Sequence, residues 1–155
     1  MRPALALLAS TLLACASWSP DPDLYGLQLD NRSSQAWAQR DDFRTRLRVI
    51  VAASLTEVDA TPAQIAGIRL VVKDGSVDCN GAEATGGCWD ELDRTLTVST
   101  DAGPCAELLL VAHELRHAVH GDPFHLSGGW SAVDAFRETL AAGHEDDCGR
   151  AGRRR

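Results

Sequence analysis

Between Pro104 and Gly121 the chain runs from Cys105 to His120 without a helix breaker. Leu108, Leu109, Leu110, Val111, Ala112, Leu115, Ala118 and Val119 cover almost the whole circumference of a helix there. A helix that is apolar all round has to be buried. His113, Glu114 and His117 are set into it. Burying imidazoles and a carboxylate is costly unless they are paired or hold a cation. His113 and His117 lie one turn apart on one face, so both can reach a single cation. Glu114 projects about 100° round the helix, where it can touch a water at that cation. The ends are marked as well. Asp101-Ala102-Gly103-Pro104 is a start signal with Pro104 at the first helical position, and Gly121 followed by Pro123 is a stop signal.

His113-Glu114-Leu115-Arg116-His117 matches H-E-x-x-H and so resembles the zincin metallopeptidases. The resemblance implies Zn2+ held by His113 and His117, a zinc-bound water activated by Glu114 as general base, and a third protein ligand. Past Gly121 the candidates are His125, Asp134, Glu138 and His144. The metzincins continue their motif through a glycine turn to a third histidine. Here Gly121-Asp122-Pro123 is followed by His125, with the glycine one residue late and the histidine two residues late. With Trp130 added, the run from Ala112 to Trp130 resembles a metzincin-like small bacterial lipoprotein, in which His125 is the ligand. The rival is a gluzincin scheme with a carboxylate from the next helix. Ser131-Ala132-Val133-Asp134 can open a helix to about Ala142, with Asp134 and Glu138 one turn apart, one binding metal and the other orienting a histidine. His120 lies about 60° from His117 on the wheel and could line the cleft or support a ligand from behind. Three ligands from successive turns of one helix converge badly, which favours His125 over His120. His144-Glu145-Asp146-Asp147 reads as a surface turn.

Met1 to Ala14 reads as a signal peptide: Arg2, an apolar run too short to span a bilayer, then a small residue. Leu12-Leu13-Ala14-Cys15 resembles a bacterial lipobox, which implies lipidation of Cys15 and a membrane-anchored lipoprotein of the cell envelope, in the periplasm or at the cell surface. A plain secretory cut nearby is the alternative. Ser17 to Pro22 has the composition of a tether. The chain has five cysteines. If Cys15 carries lipid, then Cys79, Cys88, Cys105 and Cys148 can form two disulfides in any of three pairings. Cys79–Cys88 with Cys105–Cys148 is the favoured pairing, closing one loop and tying the start of the metal helix to the C-terminal region.

The expected division is a signal peptide over 1–14, a lipidated tether over 15–32, a zincin-like domain over 33–150 and a basic tail over 151–155. About 140 residues after the signal make one domain, large enough to bury a core. A formal net charge of −7 does not suit nucleic acid. Ser33 or Ser34 can cap a first long helix carrying Trp37, Phe43, Leu47, Ile50, Val51, Leu55 and Val58 at helical spacing. Thr61-Pro62-Ala63-Gln64 signals a short helix that Gly67 ends. Ile68 to Val72 and Thr95 to Thr100 read as strands, Val77 to Cys88 as a loop between them. The class is therefore α+β: a mixed sheet of few strands packed on an N-terminal helix and the buried metal helix, with a short C-terminal helix. That order of elements resembles a small zincin.

The function implied is a monomeric zinc metalloendopeptidase acting on a peptide or protein substrate. The alternative is a non-catalytic, zinc-holding envelope lipoprotein that acts as a binding or structural module. Tyr25, the one tyrosine, falls in the tether, so an oxyanion would have to be met by Arg116, His120 or the zinc itself.

Overall fold

The computed structural model describes residues 20–79, 81–84, 86–101, 103, 106–122, 125–126, 129–131 and 135. The expected signal segment with Cys15, the expected Cys105–Cys148 pairing, Asp134, Glu138, His144 and residues 151–155 lie outside them. What is described is a small α+β arrangement: helices α1 (Phe43–Glu57), α2 (Pro62–Ile65) and α3 (Ala106–His120) with six strands. Strands β1 (Gln28–Asn31), β2 (Arg69–Lys73), β5 (Gly87–Asp90) and β6 (Thr95–Ser99) form one mixed sheet in the order β1-β2-β6-β5. The first three run parallel, and β5 is antiparallel to β6 at the edge. β3 (Val77–Cys79) and β4 (Ala82–Ala84) make a separate hairpin. No helix among the described residues is long and apolar enough to cross a membrane.

Strand register explains the core. Leu29, Leu70, Leu96 and Trp89 stand opposite one another across the sheet, and so form a row on one face. Asn31, Val72, Val98 and Gly87 form the next row on that face. Leu70, Val72, Leu96 and Val98 share one buried cluster with Leu47, Ile50 and Val51 of α1 and Val111 and Leu115 of α3. Each such leucine contributes about 1.5–3 kcal/mol by leaving water. α3 packs against α1 and along β5 and β6. From Leu110 to Val119 every position of α3 is buried or half-buried, as its all-round apolar character requires, and His120 is exposed.

Three sequence expectations change. The stretch assigned to a tether contains β1, and Tyr25 packs against the core after a short 3-10 turn at Pro22–Leu24. α1 begins at Phe43, well after Ser33 and Ser34. Those serines serve Asp74 instead: both hydroxyls donate to its carboxylate, as does the Ser34 N–H at 2.8 Å. A side chain that caps a helix in one context can equally close a loop over a carboxylate. The supposed loop from Val77 to Cys88 holds the β3–β4 hairpin and the start of β5, pinned by a Cys79–Cys88 disulfide with Cα atoms 5.5 Å apart. α2 keeps the expected signals: the Thr61 N–H donates to Gln64 Oε1 at 2.8 Å, and Gly67 follows at φ +78°.

Candidate metal centre

α3 and the loop after it build the site. The helix ends at Gly121, whose φ of +60° is open to glycine at little cost, and the Gly121 N–H donates to the His117 carbonyl at 2.9 Å. The chain then turns back. His125 adopts φ +57°, uncommon for a residue with a side chain, and its ring reaches the helix face. His125 Nε2 lies 3.1 Å from His117 Nε2, which lies 3.2 Å from His113 Nε2. The three ligand nitrogens all fall within 4.8 Å of one another. Two nitrogens each about 2.0–2.1 Å from one tetrahedral ion stand roughly 3.3 Å apart, close to what is seen. Three converging imidazoles suit zinc, and also copper, nickel or iron. The set is open on one side, since His117 is buried, His113 half-buried and His125 exposed.

His117 is oriented from behind. Its Nδ1 lies 2.7 Å from the Asp122 carbonyl. A carbonyl only accepts, so Nδ1 carries the proton and Nε2 offers its lone pair to the cluster. Burial holds the His117 pKa below its ordinary value, which keeps the ring neutral, as a metal ligand must be. Trp130 packs on all three imidazoles, with ring centres 4.1 Å away for His125, 4.6 Å for His117 and 4.9 Å for His113. The guanidinium carbon of Arg116 is 5.1 Å from the Trp130 ring centre, within cation–π range.

Glu114 is seated by the sheet. It is only 5% exposed, and burial pushes its pKa up to about 7, against a lowering hydrogen bond from the Trp89 backbone. A Cβ on Gly87 would stand 2.7 Å from Glu114 Oε1, so the Glu114 side chain can lie this close to β5 only because position 87 carries no side chain. Gly86 is similar, with a built Cβ 2.9 Å from Leu110 Cδ1.

Comparison with family models, curated proteins and solved structures returns no match.

The structure therefore brings together His113, His117 and His125, and lays Glu114 against β5. It does not bring His120 to them: His120 Nε2 lies 3.0 Å from the Val58 carbonyl, tying the end of α3 to the end of α1. Asp134 and Glu138, the rival third ligands, lie outside the described residues. Three contributors were not foreseen: the Asp122 carbonyl, Gly87 and the Trp89 backbone. The Gly86-Gly87 pair was visible in the sequence, but it fell in the Val77–Cys88 stretch read as a loop rather than as a close approach of strand and helix side chain.

Proposed function

We propose that the protein is a zinc-dependent peptidase of the zincin kind, with His113, His117 and His125 as ligands and Glu114 as general base. The observation that carries this is the convergence of three Nε2 atoms beside a glutamate one position along the same helix. Zinc held there would supply a Lewis acid for the scissile carbonyl and acidify the attacking water. Glu114 takes the proton from that water and passes it to the leaving nitrogen. Asp122 keeps His117 in the tautomer that leaves Nε2 available. The open side at His125 and His113 is where a peptide would enter, and it favours catalysis over a closed structural site. The N-terminal segment supports the cell-envelope setting, where Cys15 would anchor the protein by a lipid.

The test is Glu114→Gln assayed on a peptide library, with zinc bound measured in parallel. The variant is expected to bind zinc like the parent and to lose hydrolysis by at least two orders of magnitude, the usual scale of a general base. Wild-type rates from the variant would sink the mechanism. A parent that cleaves nothing, and unfolds fully when a chelator is added, would make the metal structural instead.

A further inference from the structure

We infer that Asp122 is a positioning residue for the three-histidine cluster, fixing His117 through its backbone and the His125-bearing loop through its carboxylate. The inference rests on the metal reading of that cluster and adds to it a residue outside the motif. Asp122 is 8% exposed, an uncommon place for a carboxylate. Its two oxygens are each engaged by a donor. Oδ1 accepts the Leu126 N–H at 2.9 Å and Oδ2 accepts the Trp130 indole N–H at 3.1 Å. Asp122 precedes His125 in the chain and both donors follow it, so the two bonds bracket it. Left-handed backbone at a residue such as His125 persists only where the surroundings hold it, and this bracket does so.

The same residue works on the helix. Its carbonyl, one position after the glycine stop, takes the His117 Nδ1–H. One residue thereby sets the tautomer of one imidazole, the backbone of the segment delivering a second, and the location of Trp130, which packs on all three. Trp130 is steadied from its own chain too. Gly129 has φ +93°, and a Cβ there would come within 2.8 Å of Arg116 Nη2, so the glycine lets Arg116 lie beside the indole. With both oxygens turned to Leu126 and Trp130, Asp122 acts through its neighbours rather than as a fourth ligand.

The experiment compares the full chain, disulfide intact, with Asp122→Ala, Trp130→Phe and the double variant. Zn2+ affinity is read by competition, Co2+ loading by its visible spectrum, and the His117 tautomer of the metal-free protein by imidazole nitrogen NMR. Asp122→Ala is expected to weaken zinc by about ten- to a hundredfold, the scale of losing an outer partner of a ligand. The Co2+ spectrum should change shape, while His117 should keep its Nδ1–H form, because alanine retains the backbone carbonyl that receives that proton. Trp130→Phe keeps a ring but removes the donor, and should weaken zinc in the same direction. The double variant should be no weaker than Asp122→Ala, because the two side chains act through one bond. If Asp122→Ala does not fold, Trp130→Phe carries the test. Zinc affinity unchanged from the parent in every folded variant would overturn the role of the Asp122 carboxylate, and a parent chain with His117 in the Nε2–H form would overturn that of its carbonyl. If His113→Ala still abolished binding in that case, the metal reading would stand without it. A parent chain that binds neither metal overturns both.

Discussion

Glu114 brings a carboxylate into a nearly covered helix face, and burial raises its pKa to about 7. A carboxyl whose folded pKa lies above its unfolded one favours the folded state while protonated. That contribution is complete below about pH 4.5 and is lost as pH rises through about 7. The metal-free protein is therefore expected to lose thermal stability between about pH 4.5 and 7, and Glu114→Gln to flatten that slope. Melting curves of both chains in chelator across this range check it; parallel slopes would remove Glu114 as the cause. His125 can be weighed in the same way. His125→Ala should weaken zinc by orders of magnitude, as His113→Ala and His117→Ala should, while Asp134→Ala and Glu138→Ala stay within about a hundredfold. Calorimetric titration decides it, and loss of metal in either carboxylate variant with His125→Ala unaffected would move the protein to the carboxylate-ligand zincins. His113 and His117 were readable from sequence because helix period is a local rule, whereas His125 was one of several candidates past the glycine stop, favoured by the metzincin resemblance. Asp122 was not, since a backbone carbonyl has no side-chain identity to read.

At the scale of elements, the C-terminal ends of β1, β2 and β6 are gathered on Asp74. Hydrogen bonds from Ser33 first, then Ser34 and Thr100, hold its carboxyl well below its ordinary value near 3.8. A depressed folded pKa contributes stability above the unfolded value, and that contribution fades as pH falls below about 4. Asp74→Ala should thus lower the melting temperature at pH 7 and leave a smaller difference from the parent at pH 3, read by circular dichroism. A difference that grows in acid would refute it. β5 makes a second element-scale prediction. Gly87→Ala puts a Cβ against the end of a flexible Glu114 side chain, which can swing away. Hydrolysis should fall at least tenfold while zinc affinity holds within a few-fold and stability within about 1 kcal/mol. Equal loss of metal and activity would show that β5 supports the whole site instead. β2, β6 and α2 were legible because alternation and capping are short-range patterns. β1 and the start of α1 were not. Four residues after a Pro-rich stretch carry little periodic signal, and Ser33 and Ser34 fit a cap as well as they fit Asp74, which stands far along the chain.

For the whole molecule, stability is shared between one apolar core and the Cys79–Cys88 crosslink. Closing so short a loop contributes about 2–3 kcal/mol through the unfolded chain. The Cys79→Ser, Cys88→Ser double variant should lose about that much in denaturant titration, with zinc still bound. Chelation should leave the parent folded. It should cost only the linkage term, about 2.7 kcal/mol if zinc stood at a hundred times its dissociation constant.

The site is also divided by how far the chain must travel to assemble it. His113, His117, Asp122, His125 and Trp130 are joined by one helix end and one tight turn, so only short closures separate them. Glu114 is seated by Gly87 and Trp89, which reach it only after β5 has paired with β6 and docked on α3. Short closures are fast and long ones slow. A folding chain would then own its cation before it owned a working base, and zinc present from the start would act as an early clasp. On the peptidase reading, hydrolysis would wait until β5 has docked, so an unfinished chain would carry metal without cutting its neighbours.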